Sequence, residues 1–145
     1  MIKIGIVGAG KIVPPFLEAL NEVESLCADA IYARREEASR PIAEQFGIKK
    51  IYTDYDALLG DGEVDVIYVA ILNHLHYEFA KKALENGKHV ILEKPFTVSL
   101  KQADALIELA ECKGLFLFEA ITNLYNPESR STAARQQERS VSSPP

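Results

Sequence analysis

Short apolar runs alternate with longer stretches of helical period along most of the chain. Residues 2–7 (IKIGIV) are short and β-branched and predict a buried strand. Residues 11–21 follow, with Ile12, Phe16, Leu17 and Leu20 near one helical face. A second strand is predicted at 25–33. A helix over 36–46 is interrupted by Pro41, which is tolerated in a first turn and costs about 3 kcal/mol deeper in. The regular helix is therefore expected to begin near Ser39, or to kink there. Residues 50–52 predict a short strand and 55–59 a short helix capped by Asp54.

The run 64–71 is nearly all apolar, as a central parallel strand is. A helix over 75–86 ends at Gly87, and a fifth strand spans 88–92. Ser99 and Gln102 have capping-box spacing at the head of a helix over 99–113, closed by Gly114, and 115–120 is the last strand. Strict strand–helix alternation predicts an α/β fold. The expected form is a Rossmann-type, doubly wound parallel sheet in three layers, α/β/α.

The pattern stops near Asn126. Residues 126–145 (NPESRSTAARQQERSVSSPP) hold five serines and three prolines among few aliphatic residues. Such a segment cannot bury enough apolar surface to offset its ordering entropy. The chain thus divides into a folded domain over 1–125 and an expected disordered tail over 126–145, with a short terminal helix around 132–139 as the alternative.

Composition narrows the function. The 145 residues are 48% hydrophobic and 26% charged, and the net charge is −5. That balance gives no electrostatic footprint for nucleic acid. No apolar window reaches the length of a membrane span, and the N-terminus lacks signal-peptide character, so no membrane partner and a cytoplasmic location are expected. Cys27 and Cys112 have no metal spacing, predict no metal site, and are expected as buried, reduced thiols.

The first candidate chemistry is Gly8-Ala9-Gly10-Lys11-Ile12-Val13, between a strand and a helix. Gly8 permits a tight turn, and Gly10 lets a pyrophosphate approach the main chain. The helix N-terminus adds unpaired N–H groups and the positive end of its dipole. Val13 stands where a third small residue is usual, and Pro14 and Pro15 remove two donors.

At the end of the second strand, a carboxylate would accept from the ribose 2′-OH of NAD, whereas an arginine suits the 2′-phosphate of NADP. The segment reads Tyr32-Ala33-Arg34-Arg35-Glu36-Glu37, which favours NADP over NAD. The alternative is that Arg34 and Arg35 pair with Glu36 and Glu37. Two further segments, Leu72-Asn73-His74-Leu75-His76 and Glu93-Lys94-Pro95, follow the fourth and fifth strands, where ligands bind in open α/β sheets.

These segments carry a resemblance. GIVGAGKI at 5–12, VDVIYVAILNHLHYEFAKKALENGKHVILEKP at 64–95 and FEA at 118–120 resemble the glucose–fructose oxidoreductase / inositol dehydrogenase family, Gfo/Idh/MocA, over about residues 1–125. The resemblance implies hydride transfer between a nicotinamide dinucleotide and a sugar or polyol hydroxyl carbon. Lys94 matches the family's catalytic lysine, and Glu93 matches the glutamate at the nicotinamide ribose. Pro95 matches a proline that is often cis, and Asn73 and His76 match the turn bordering the cofactor. Together with Gly8, Gly10, Lys11, Ile12, Arg34 and Arg35, these are the expected cofactor-binding residues.

A buried Lys94 beside a positive nicotinamide ring would have its ammonium form disfavoured and could accept a proton from a hydroxyl; the bland alternative is a surface lysine. His74 is expected as a solvated loop residue, and packing at the helix start is the alternative for His76. Leu72 departs from the family's proline. The substrate domain usual in the family has no counterpart in the pattern, which raises the alternative of a truncated cofactor-binding module without turnover. Exposed sheet edges leave self-association into a homo-oligomer open.

Overall fold

The computed structural model of the chain describes residues 1–120. Six strands, β1 (Ile2–Val7), β2 (Leu26–Tyr32), β3 (Lys50–Tyr52), β4 (Val66–Val69), β5 (His89–Glu93) and β6 (Leu117–Ala120), form one sheet. The order is β3-β2-β1-β4-β5-β6, and every pairing is parallel. The strand order reverses at β1 and β4, the switch point at which a crevice opens beyond the strands' carboxyl ends. Five α-helices lie between the strands of the described residues: α1 (Val13–Asn21), α2 (Glu36–Phe46), α3 (Tyr55–Leu59), α4 (His76–Glu85), which a 3-10 turn over Asn73–Leu75 precedes, and α5 (Leu100–Lys113).

Strand periodicity divides the core in two. Ile4, Ile6, Ile31 and Tyr68 face one side with Val13, Leu17 and Leu20 of α1 and Ala43 of α2. Val7, Ala30, Ile67, Val69, Val90 and Leu92 face the other, against Leu58 of α3, Leu84 of α4 and Leu106 of α5. The sheet is thus covered on both faces, which is why its central strands read as continuous apolar runs. The expected three-layer Rossmann-type architecture is the observed one.

Local differences have physical causes. Helix α2 begins at Glu36, not near Ser39, and runs through Pro41. Pro41 lies on the exposed side, while Ser39 and Ala43 are buried against the sheet, so packing outweighs the lost hydrogen bond. Ser99 caps α5 by accepting from the Gln102 N–H at 3.3 Å. The return half of the capping box does not form, because Gln102 Oε1 is buried without a partner. Cys27 is half-buried and Cys112 is exposed, so the expectation of two buried thiols fails. The α5 surface facing away from the sheet carries Cys112, a position that period alone does not separate from the core face. The tail expected at 126–145 lies outside the described residues.

At the amino ends of the strands, Lys50 Nζ bonds Asp29 (2.8 Å), Asp61 (2.9 Å) and Glu63 (2.6 Å), and Lys3 Nζ bonds Glu63 at 2.8 Å. A register shift between Ile4 and Gly5 skips Asp29 in the β1–β2 ladder. Lys88 is buried, and its ammonium donates to the carbonyls of Asp61 (2.8 Å) and Val64 (2.7 Å). These contacts tie down the end of the sheet opposite the crevice.

Candidate functional site

A cleft of about 580 Å³ opens at the carboxyl ends of β1, β2, β4 and β5. Gly8, Gly10 and Ile12 form its floor, and Ala33, Arg34 and Arg35 stand at one end. Glu93 and Lys94 stand on the same wall system, so the glycine turn and the lysine share one crevice.

The two glycines serve different needs. Gly8 has φ +115°, and a Cβ there would meet the Ala70 carbonyl oxygen at 2.2 Å. It is glycine because the main chain just beyond β4 passes too close for any side chain. A Cβ on Gly10 would meet no atom within 4 Å. Its bareness serves no internal packing; it keeps the cleft floor clear, which is what a pyrophosphate laid against main chain requires.

The helix itself offers fewer donors than its position suggests. The Val13 N–H bonds the Gly10 carbonyl at 3.0 Å, Pro14 and Pro15 have no N–H, and the Phe16 N–H bonds the Ile12 carbonyl at 3.3 Å. The first turn of α1 therefore keeps its dipole but presents no free N–H. Main-chain donors for an anion must come from the turn over residues 9–12. Val13, where a small residue was expected, is fully buried between α1 and the sheet.

Ala33 follows β2 directly and lines the cleft, so no carboxylate stands where a ribose 2′-OH would be read. Arg34 and Arg35 are exposed. Glu36 pairs instead with Arg40, one turn further along α2. Among the described residues neither Arg34 nor Arg35 is in an ion pair, so the alternative in which both are neutralised by Glu36 and Glu37 is not what forms.

Hydrogen bonds fix the Glu93-Lys94-Pro95 segment and the residue that follows it. Tyr68 Oη donates to Glu93 Oε1 at 2.6 Å, and the Lys94 N–H donates to Glu93 Oε2 at 3.2 Å. His76 Nδ1 lies 2.8 Å from the Pro95 carbonyl oxygen, and its Nε2 lies 3.1 Å from that of Ile71. The Phe96 N–H donates to Glu119 Oε1 at 3.0 Å. The Lys94–Pro95 peptide is cis.

Lys94 lines the cleft but is exposed, which departs from the expected buried lysine. Lys11, Asn73, His76 and Pro95 do not form the cleft wall. His76 is fully buried and ties the end of β4 to Pro95, so its contribution runs through the backbone of both segments. His74 is exposed as expected, but it sits in a 3-10 turn over Asn73–Leu75 and not in a loop. Sequence reasoning passed over Tyr68 and Glu119. Tyr68 carries a hydroxyl inside an apolar run, and Glu119 is a carboxylate in a strand; each was a signal that a hydrogen-bond partner exists.

Among the described residues no group of three or more His, Cys, Asp or Glu side chains is placed to hold a metal ion, and no helix is long and apolar enough to cross a membrane.

A parallel sheet of order 3-2-1-4-5-6 with a bare glycine turn at its switch point defines a dinucleotide-binding α/β domain. The family described as "Oxidoreductase family, NAD-binding Rossmann fold" (Gfo/Idh/MocA) matches residues 2–121. The chain belongs to this family, and this part of it is a nicotinamide-dinucleotide-binding oxidoreductase domain.

Similar proteins include the NADP(+)-dependent scyllo-inositol 2-dehydrogenase IolU of Bacillus subtilis, 31% identical over 127 residues. They also include the dTDP-3,4-didehydro-2,6-dideoxy-alpha-D-glucose 3-reductase of Actinomadura kijaniata, 37% identical over 138 residues. The matches cover 88% and 91% of this chain but only 39% and 40% of those proteins. Among solved structures, the 3-ketoreductase KijD10 of Actinomadura kijaniata in complex with NADP and TDP-benzene superposes with a TM-score of 0.88 at 35% identity. That match covers 94% of this chain and 42% of KijD10.

Proposed function

We propose that the cleft binds NADP(H), with the 2′-phosphate at Arg34 and Arg35, the pyrophosphate on the turn at 8–12 and the nicotinamide end toward Glu93 and Lys94. The bound cofactor would supply the hydride acceptor or donor. The chain's residues bind, orient and manage a proton around it. Glu93 accepts from the nicotinamide ribose. Lys94, on the same cleft wall, would take the proton of the substrate hydroxyl as the carbon–hydrogen bond breaks and return it as that bond forms. The substrate class is a sugar, polyol or related hydroxyl compound. This class is supported by the dehydrogenases and reductases that the chain resembles.

The observation that carries the NADP reading is the pair of exposed arginines beside Ala33, neither of which is in an ion pair among the described residues. NADP is also the cofactor held by the similar KijD10. The exposure of Lys94 favours a second reading for these residues alone, cofactor binding without turnover.

Titration of nicotinamide fluorescence with NADPH and NADH separates the readings. NADPH is expected to bind more tightly. Arg34→Ala should weaken NADPH by about 10- to 100-fold, as the loss of hydrogen bonds to a charged group does, and leave NADH unchanged. Equal wild-type affinities for the two cofactors would remove the NADP assignment. Turnover of NADP+ across a polyol panel supports the enzyme reading, and tight binding without turnover supports the second.

A further inference from the structure

Tyr68 is the largest fully buried side chain in the domain, and it is the one polar group in the apolar run of β4. Alternation places its ring on the α1 side of the sheet, the side on which Glu93 also falls, two strand positions beyond Ile91 of β5. Phe16 of α1 stacks on the phenol ring, with centroids 3.7 Å apart and planes 12° from parallel. The ring therefore has no freedom to swing, and its hydroxyl is aimed at one acceptor, Glu93 Oε1. Glu93 is 8% exposed and belongs to the cleft wall.

We propose that Tyr68 is a positioning residue for the nicotinamide half of the cofactor: its buried hydroxyl fixes the Glu93 carboxylate in the orientation that receives the nicotinamide ribose. This rests on the cofactor placement proposed above. The Lys94 N–H takes the second carboxylate oxygen, so both oxygens are held. Each keeps a further lone-pair site for a ribose hydroxyl. A carboxylate free to rotate would have to be ordered when the cofactor arrives; one already held is not charged that entropy again. Burial, reinforced by the neighbouring carboxylate, raises the Tyr68 phenol above its ordinary value of 10.0, which keeps the proton on the tyrosine and the hydrogen bond in place.

Helix α1 gives the arrangement a further property. The helix that opens at the pyrophosphate turn also carries the ring that stacks on Tyr68. One rigid element thus sets both the phosphate cradle and, through Tyr68, the glutamate on the far side of the crevice.

The test is Tyr68→Phe, which keeps the ring, the stacking and the shape. Affinity for NADPH is measured beside affinity for 2′,5′-ADP, which carries the adenosine and its phosphates but no nicotinamide ribose. Tyr68→Phe should weaken NADPH by about 3- to 10-fold, the cost of re-ordering one side chain, and leave 2′,5′-ADP within two-fold of wild type. In a Glu93→Ala background the same substitution should have no further effect on NADPH, because the interaction it acts through is gone. Equal weakening of both ligands would mean a general loosening of the domain and would overturn the proposal. So would unchanged NADPH affinity, or a full effect in the Glu93→Ala background. Wild-type protein that binds neither ligand takes down the cofactor reading itself, an outcome distinct from wild-type binding that Tyr68→Phe leaves untouched.

Discussion

Gly8 and Gly10 are two residues apart in one turn, yet the same substitution should damage different properties. At Gly8 an alanine carries two burdens. A side chain at φ +115° is held in a region that costs about 1–3 kcal/mol. Its Cβ would also stand 2.2 Å from the Ala70 carbonyl oxygen, inside the contact distance of any pair of atoms. The obstacle is backbone, so the end of β4 must shift, and overpacking of that kind costs a further ~1–3 kcal/mol.

The sum, roughly 2–6 kcal/mol, is a large share of the ~5–15 kcal/mol that holds a domain folded. Gly8→Ala should lower Tm by roughly 10 °C or more. Gly10→Ala meets nothing within 4 Å and should leave stability unchanged or raise it by the ~0.4–1 kcal/mol that stiffening the unfolded chain contributes. It should instead weaken NADPH about 10-fold, and Gly10→Val should abolish binding, because the added atoms occupy the path of the pyrophosphate. Thermal melts by circular dichroism, paired with fluorescence titration, read both properties. A Gly8→Ala protein as stable as wild type, or a Gly10→Val protein that binds NADPH normally, would refute this division of labour.

The backbone at Leu72 is already suited to proline, with φ −64° and ψ 137°. Leu72→Pro should raise stability by about 0.4–1 kcal/mol through the unfolded chain; a lower Tm would show that the Leu72 N–H or the preceding residue is constrained. The lysine cluster at the opposite end of the sheet predicts an acid response. Hydrogen bonding from Lys50 lowers the Asp61 carboxyl from 3.8 to about 2. That carboxyl binds its proton more weakly folded than unfolded, so its contribution is complete above the ordinary value and is lost as pH falls through about 2. Tm should decline between about pH 4 and pH 2, and Lys50→Met should flatten that decline; an identical slope in the variant would mean the pairs form without stabilising.

The parts of this molecule set by local rules could be read from residue order. β1 falls where its β-branched run places it, β3 falls at the short strand expected over 50–52, and Asp54 caps α3 by accepting from the Asp56 N–H at 3.0 Å. The glycine turn, Ala33 with its arginines and the Glu93–Lys94 pair converge on one cleft because strand ends in a parallel sheet share an edge. What period could not supply were contacts between residues far apart in the chain. The hydroxyl of Tyr68 finds Glu93 across 25 positions, Lys88 finds Val64 across 24, and Phe96 finds Glu119 across 23. Pro41 misled for a related reason: its local cost is real, but it is outweighed by burial of Ser39 and Ala43, which only the assembled sheet provides. Exposure of Lys94 and Cys112 likewise depends on which neighbours arrive, and no local pattern encodes that.

Amide chemical-shift mapping of the 15N-labelled protein with NADP+ tests the placement of the cofactor most directly. Saturable shifts should concentrate at residues 8–12, 33–35, 70–72 and 93–94, on four segments that meet only in the crevice at the carboxyl edge of the sheet. Shifts clustered on α3 and α5, or no saturable shift in folded protein, would contradict it.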